Sequence, residues 1–207
     1  TQSRSSAASD VYKRQDLSPY LKQHKDNPVN WQIWSKETLE FAKKNKKPIL
    51  LSIGYASCHW CHVMAHESFD DFETAKIMNE LFVNIKVDRE ERPDLDFIFQ
   101  SSFQLFNQTG GGWPLTMFLD PQTLLPFFGG TYFPKNARYQ LPGFIDLLMR
   151  INETFQSKKE ELKDQGDKLS KAFEQLKIPI VDPQIPDREL LGLSRENLGK
   201  QYFLRCW

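Results

Sequence analysis

Cys58 and Cys61, separated by two residues in Ser57-Cys58-His59-Trp60-Cys61-His62, are the side chains of this chain best equipped for covalent chemistry. A thiolate is a strong nucleophile, and a second thiol within one helical turn can resolve the mixed disulfide it forms, so such a pair can cycle between dithiol and disulfide. The chemistry needs an attacking sulfur with a depressed pKa, which places a demand on the flanking elements. Ile49 to Ile53 is a short apolar run, β-branched in part and bounded by Pro48 and Gly54, and it reads as a fully buried strand. Val63-Met64 and a longer stretch of helical spacing follow the cysteines. Cys58 therefore falls where a strand hands over to a helix, and the unpaired N–H groups of a first helical turn favour an anion there. Cys58 is the expected nucleophile and Cys61 the expected resolving thiol. An imidazolium nearby would favour the charged sulfur further, which gives His62 a tuning role, with plain solvent exposure as the bland alternative.

The same residues invite two other readings. Cys58-His-Trp-Cys-His62 matches a c-type haem attachment string, but a helix packed on a sheet leaves no slot in which His62 could face an iron. Cys58, Cys61, His62 and His66 fall on one helical stripe and make up a familiar zinc set. Ligands on one straight helix diverge by about 1.5 Å per residue, however, and rarely close a tetrahedron without a second element. No metal and no cofactor is assigned, and a Cys/His metal-binding module stands as an alternative.

Composition narrows the class. Apolar residues make up 40% of 207 residues, enough for one well-cored domain with extensions. No apolar run approaches the length needed to cross a bilayer. Lys plus Arg and Asp plus Glu are each 27, so net charge gives no reason to expect nucleic acid or an anionic membrane as partner. Three cysteines do not make the disulfide framework of a secreted domain, and no signal-peptide pattern opens the sequence. A reducing, cytoplasmic location is the expectation.

Along the chain, residues 1–15 read as a disordered or non-native leader, 16–176 as the domain, and 177–207, with prolines at 179, 183 and 186, as linker and unstructured tail. Ser35 fits the N-cap of a helix to Asn45, with Leu39 and Phe41-Ala42 facing inward. Phe69, Phe72, Ala75, Ile77-Met78 and Leu81-Phe82 predict an amphipathic helix from Asp71, and Val83 to Val87 an alternating strand. Asp88 to Arg92 reads as a solvated, internally paired loop, with a binding loop as the less favoured reading. Pro93 opens a helix burying Leu95, Ile98-Phe99, Ser102-Phe103 and Leu105-Phe106. After Gly110-Gly-Gly-Trp-Pro114, Leu115 to Leu119 is a third strand and Pro126 to Pro134 a fourth, broken at Gly129-Gly130. Phe144, Leu147-Leu148, Ile151 and Phe155 then stripe a helix, and Leu162, Leu169, Phe173 and Leu176 a weaker one.

A strand, helix and strand in succession imply a parallel crossover, while the two late strands are spaced as an antiparallel pair. That is thioredoxin topology: an α/β fold with a central mixed sheet of four to five strands flanked by helices, and a long C-terminal helical extension. In this topology a cis-proline lies beside the cysteines, and Trp113-Pro114, preceded by two glycines, is the expected cis bond. His59, Trp60, Trp113 and Pro114 would then line the substrate groove. His24 is open to two roles, approaching the cysteines or satisfying a backbone carbonyl, and Phe127 to Phe133 reads first as core.

Six segments carry a closer resemblance: Ser18-Pro-Tyr-Leu-Lys-Gln-His24, Asn27-Pro-Val-Asn-Trp31, Cys58-His-Trp-Cys-His-Val-Met64, Lys86-Val-Asp-Arg-Glu-Glu-Arg-Pro93, Gly111-Gly-Trp-Pro114 and Phe127-Phe-Gly-Gly-Thr-Tyr-Phe-Pro134. In order, they resemble the thioredoxin-like N-terminal domain of the spermatogenesis-associated protein 20 family. That resemblance implies a larger helical barrel, similar to carbohydrate-active enzymes, beyond the present chain. Thioredoxins themselves carry a buried carboxylic acid six residues before the first cysteine, and Ser52 stands there instead. The expected function is thiol–disulfide exchange on a protein or small-molecule substrate. The alternatives are a non-catalytic module that docks on the barrel, or the metal-binding module.

Overall fold

The computed structural model describes residues 18–138 and 140–175, so the expectations for 1–15 and 177–207, and for the Phe173 and Leu176 side chains, lie outside the described residues. The chain divides into two compact units, Thr1–Lys171 and Ala172–Trp207. Its elements run α1 (Pro19–Gln23), α2 (Lys36–Asn45), β1 (Ile49–Gly54), α3 (His59–Met64), a π-helical turn (Ala65–Phe69), α4 (Phe72–Leu81), β2 (Val83–Asp88), α5 (Pro93–Asn107), β3 (Leu115–Leu119), β4 (Pro126–Gly130), α6 (Phe144–Ser157) and α7 (Lys159–Gln175).

The caps explain most helix starts. Ser18, Ser35 and Asp71 each accept the backbone N–H three residues on, from Leu21, Thr38 and Thr74, which satisfies one orphan donor of the first turn. Pro93 opens α5, where its missing N–H costs nothing. Gln108 ends that helix in the left-handed region at φ 53°.

Four strands form one mixed sheet in the order β2-β1-β3-β4. β1 pairs in parallel with β2 and antiparallel with β3, and β3 pairs antiparallel with β4, as the spacing of strands and helices required. Both faces are covered. Ile49, Leu51 and Ile53 pack with Val83, Ile85 and Val87, with Leu115, Met117 and Leu119, and with Ala42 of α2 and Leu95, Phe99 and Phe103 of α5. Leu50 and Phe118, on the other face, pack with Met64, Phe69, Ala75 and Met78 and with the whole α6 stripe from Phe144 to Phe155. Burial on both faces is why β1 is a nearly unbroken apolar run.

Several expected details differ. β2 does not alternate between core and solvent: all six residues are buried. Its outer edge is sealed by Gln32, whose N–H donates to the Asn84 carbonyl and whose carbonyl accepts from Lys86 N–H. The irregularity in β4 sits at Phe127, because Leu119 pairs with Pro126 and Phe118 with Phe128, while Gly129 and Gly130 continue the ladder. The fourth strand ends at Gly130, short of Pro134. Phe72 lies outside the core at 81% exposure, and Phe41, Ile98 and Leu105 are also exposed. Each follows a buried position by one to three residues, so helical spacing alone could not assign it a face.

Candidate redox site

β1 delivers the chain to the site. After Gly54, the Tyr55-Ala56-Ser57 turn leads to Cys58, whose N–H donates to the Tyr55 carbonyl. Cys58 is itself the N-cap of α3, in an extended conformation, and its Sγ accepts the Cys61 N–H at 3.2 Å. The sulfur of Cys58 thus receives an amide dipole of the first helical turn, an arrangement that stabilises a thiolate when the pair is reduced. Here the two cysteines form a disulfide across a Cα–Cα distance of 5.2 Å.

The strand-to-helix placement is as the sequence predicted. Cys58 is 3% and Cys61 2% exposed, enclosed in a cluster with Tyr20 and Leu21 against which Ile33, Tyr55, Ala56 and Trp113 pack. Attack on a substrate needs an accessible sulfur, whereas the side chains around the turn cover this one. Trp60 and His59 remain outside, Trp60 at 48% exposure and 5.0 Å, centroid to centroid, from Tyr132.

The Trp113-Pro114 bond is cis. Pro114 directly precedes Leu115, which pairs with Ile53, and Trp113 packs on the cysteine cluster. The Trp113 ring is held from three sides. Its Nε1 donates to Asp96 Oδ1 at 2.9 Å, the Arg89 guanidinium lies 4.0 Å from its centroid, and Tyr55 meets it edge-on at 5.8 Å. Arg89 also pairs with Asp96 at 3.1 Å. Behind the indole, Gln100 Nε2 donates to the Gly112 carbonyl at 3.1 Å, and a Cβ on Gly111 would collide with that glutamine. The 88–92 loop is only in part the solvated surface expected of it: Glu90 and Glu91 are exposed, but its first two residues are engaged in the site. Asp88 is buried, accepts from Ser18 Oγ at 2.6 Å and from the Glu90 N–H at 2.9 Å, and Arg89 braces the tryptophan.

His62 is committed to the backbone: its Nε2 donates to the Ala56 carbonyl at 2.8 Å, which ties α3 to the turn before Cys58. His66 pairs with Asp70 at 3.1 Å on the surface. Among the described residues no group of three or more His, Cys, Asp or Glu is arranged to hold a metal ion. His24 lies buried with its Nδ1 donating to Asn27 Oδ1 at 2.8 Å, and burial lowers its pKa to about 2.

One part of the site was invisible in the sequence. Ser52 and Lys86 are register partners on the face that α3 covers, and Lys86 Nζ donates to Ser52 Oγ at 3.0 Å. Lys86 is 2% exposed, with its nitrogen 4.3 Å from the Phe69 centroid, 4.7 Å from Trp31 and 5.1 Å from Tyr20. Burial holds its pKa well below the usual lysine value. The neighbouring Tyr20 hydroxyl is buried without a hydrogen-bond partner, and burial, with the charge of Asp88, raises its pKa. Tyr20 Oη and Cys61 Sγ both crowd the Cα of Gly54, so closely that an added Cβ would stand only 2.7 Å from the sulfur. Alternation of Val83, Ile85 and Val87 with Asn84 and Lys86 gave no signal of it, because it puts the lysine on the solvent side.

A mixed sheet flanked by helices, a disulfide-bonded CxxC at a helix N-terminus and a cis-proline beside it define a thioredoxin-like domain. The chain belongs to the Thioredox_DsbH family, described as a protein of unknown function, DUF255, whose family model matches residues 12–174. It is 44% identical to human spermatogenesis-associated protein 20 over 172 residues, 83% of this chain and 22% of that protein. It is 47% identical to the uncharacterized protein B0495.5 of Caenorhabditis elegans over 160 residues, 77% of this chain and again 22% of the relative. The chain thus spans about a fifth of the length of the curated relatives it matches. Among solved structures, a DsbH oxidoreductase aligns with 18% identity and a TM-score of 0.46, over 63% of this chain and 86% of the other. A disulphide isomerase from Xylella fastidiosa Temecula1 aligns with 14% identity and a TM-score of 0.43, over 73% and 95%.

Proposed function

We propose that this domain is a thiol–disulfide oxidoreductase in which Cys58 attacks and Cys61 resolves. The observation that carries the reading is the position of Cys58 Sγ, which caps α3 and accepts the Cys61 N–H at 3.2 Å, with Cys61 already bonded to it. In the reducing direction the Cys58 thiolate attacks a substrate disulfide, an S–S bond forms to Cys58, and the first substrate sulfur leaves as a thiolate. Cys61, deprotonated, attacks Cys58 Sγ. The Cys58–Cys61 disulfide forms and the second substrate sulfur departs, so the substrate gains the two electrons the dithiol loses.

The cis Trp113-Pro114 edge, together with exposed His59 and Trp60, is the surface on which a peptide or small disulfide would lie. Arg89 and Asp96 fix the indole, so this edge is set before substrate arrives. Both sulfurs are covered in the disulfide state, so a bulky thiol reaches Cys58 only when the Tyr55 side of the wall gives way. A cytoplasmic, reducing setting suits the reading, since the disulfide is then an intermediate of turnover and not a permanent staple.

The same burial favours a second reading, a binding module that retains an inert pair. Trapping separates the two. Reduced Cys61→Ser protein, incubated with glutathione disulfide, is expected to accumulate one glutathione on Cys58, visible as a mass increase, while the wild type passes through the adduct to the internal disulfide. A Cys61→Ser protein that stays unmodified while a denatured control reacts would favour the binding module.

A further inference from the structure

Most of the wall over the Cys58–Cys61 disulfide is pinned from behind. Tyr20 and Leu21 belong to α1, whose N-cap Ser18 donates to Asp88 at 2.6 Å. Ile33 follows Gln32, which is bonded through its backbone to both Asn84 and Lys86 of β2. The Ala56 carbonyl accepts from His62 Nε2 at 2.8 Å and from Gln23 Nε2 at 3.4 Å, so α3 and α1 both hold the turn. Trp113 is fixed by Asp96 and Arg89. Tyr55 differs. Its ring meets Trp113 edge-on at 5.8 Å and the Arg89 guanidinium at 5.6 Å, and among the described residues no group hydrogen-bonds its hydroxyl. Packing without such an anchor lets a half-buried side chain change rotamer while the backbone stays in place.

We infer that Tyr55 is the specificity-determining residue of this site, and that the reductant which regenerates the dithiol is a low-molecular-weight thiol, not the cysteine of a folded protein. The inference rests on the redox reading above. A thiolate RS⁻ attacks Cys58 Sγ on the side away from Cys61, and an S–S bond forms between R–S and Cys58. Cys61 leaves as a thiolate and takes up the proton that the first RSH gave to solvent. A second RS⁻ attacks the sulfur that carries R, RSSR departs, and Cys58 is released as a thiolate, with the second proton left in solvent. Two thiols lose the two electrons that the protein disulfide gains.

Size decides because Tyr55 obstructs in both of its positions. Packed on the cluster, the ring helps to close both sulfurs off from solvent. Turned outward about its Cα–Cβ bond, it leaves a lane to Cys58 Sγ but still stands beside the Trp113-Pro114 edge, where the surface of a folded protein would have to seat. A small thiol passes through that lane with its sulfur on a short stem. A cysteine within a folded protein brings flanking backbone and neighbouring side chains, and these meet the ring. Arg89, held by Asp96, favours the closed position through its contact with the Tyr55 ring.

The test measures how fast two thiol probes, 2-mercaptoethanol and reduced thioredoxin, reduce the oxidised protein, each rate constant divided by that of the same probe on glutathione disulfide. Acid quenching and alkylation, read by mass, follow the loss of the Cys58–Cys61 bond. In the wild type the normalised ratio of small to large probe should stand well above one. Tyr55→Ala should lower that ratio by at least about tenfold, and Tyr55→Phe, which keeps the ring, should restore it. Unfolding midpoints verify that both variants are folded. A wild-type ratio near or below one, or a folded Tyr55→Ala protein with the wild-type ratio, would overturn the inference. Failure of Cys61→Ser to take up glutathione defeats the redox reading instead, and the probe ratio, measured on oxidised protein, still decides whether Tyr55 sorts thiols by size.

Discussion

His24 shows how a single buried group ties the stability of this site to pH. Its ring sits edge-on to Tyr20 at 4.9 Å and to Phe69 at 6.1 Å, and donates to Asn27. Burial brings its pKa from the ordinary 6.5 down to about 2. The unfolded chain therefore binds one proton more than the fold at pH below 6.5, and the stabilisation present above that value is lost progressively as pH falls toward 2. Urea unfolding at pH 7 and pH 5 should differ by about 2 kcal/mol from this group, at about 1.4 kcal/mol per pH unit. His24→Gln should flatten that slope, and equal acid sensitivity in the variant would contradict the assignment. The sequence left His24 open because its partners, Tyr20, Asn27, Trp31 and Phe69, converge only when α1 docks on the π-helical turn. Lys86 was hidden for the same reason: a lysine in Val-Asn-Ile-Lys-Val reads as the solvent side of an alternating strand until Tyr20 of α1, Trp31 and Phe69 of the π-helical turn close over it.

At the scale of elements, the site is a junction where β1 ends, α3 begins and the β3 edge arrives through Pro114. Gly54 is a tight point of it, since Tyr20 from α1 and Cys61 from α3 meet over its Cα. Gly54→Ala is expected to force these groups apart, lowering stability by about 1–3 kcal/mol as overpacking does. Chemical unfolding would register the loss, and a variant as stable as the parent would show that the contact is slack. The elements themselves were largely legible. Pro48 and Gly54 bracketed β1, Pro93 opened α5, and the stripe from Phe144 to Phe155 is buried throughout. What periodicity could not supply was the face of residues such as Phe41, Phe72 and Ile98, because apolar neighbours one and three positions apart satisfy two faces at once. Nor could composition show that Arg89 turns inward: the run Asp88-Arg-Glu-Glu-Arg92 looks like solvated surface, and only the cis turn brings Trp113 beneath the guanidinium.

For the molecule as a whole, the parallel pairing of β1 with β2 brings Gly54 and Asp88 to the same end of the sheet, where the cysteines, the Trp113-Pro114 edge and Arg89 collect. Reactive groups concentrate at the carboxyl ends of strands in open α/β sheets because the connecting turns and helix N-termini meet there. Topology was recoverable because a β-α-β unit followed by two closely spaced strands admits few arrangements. Among the described residues no helix is long and apolar enough to cross a membrane. Everything in the account turns on whether Cys58 becomes a thiolate at the N-terminus of α3. The rate of Cys58 alkylation by iodoacetamide against pH, in reduced wild type and in Cys61→Ser, measures this directly. A midpoint clearly below the free-thiol value of about 8.5 is expected in both proteins. A midpoint at or above that value would contradict it.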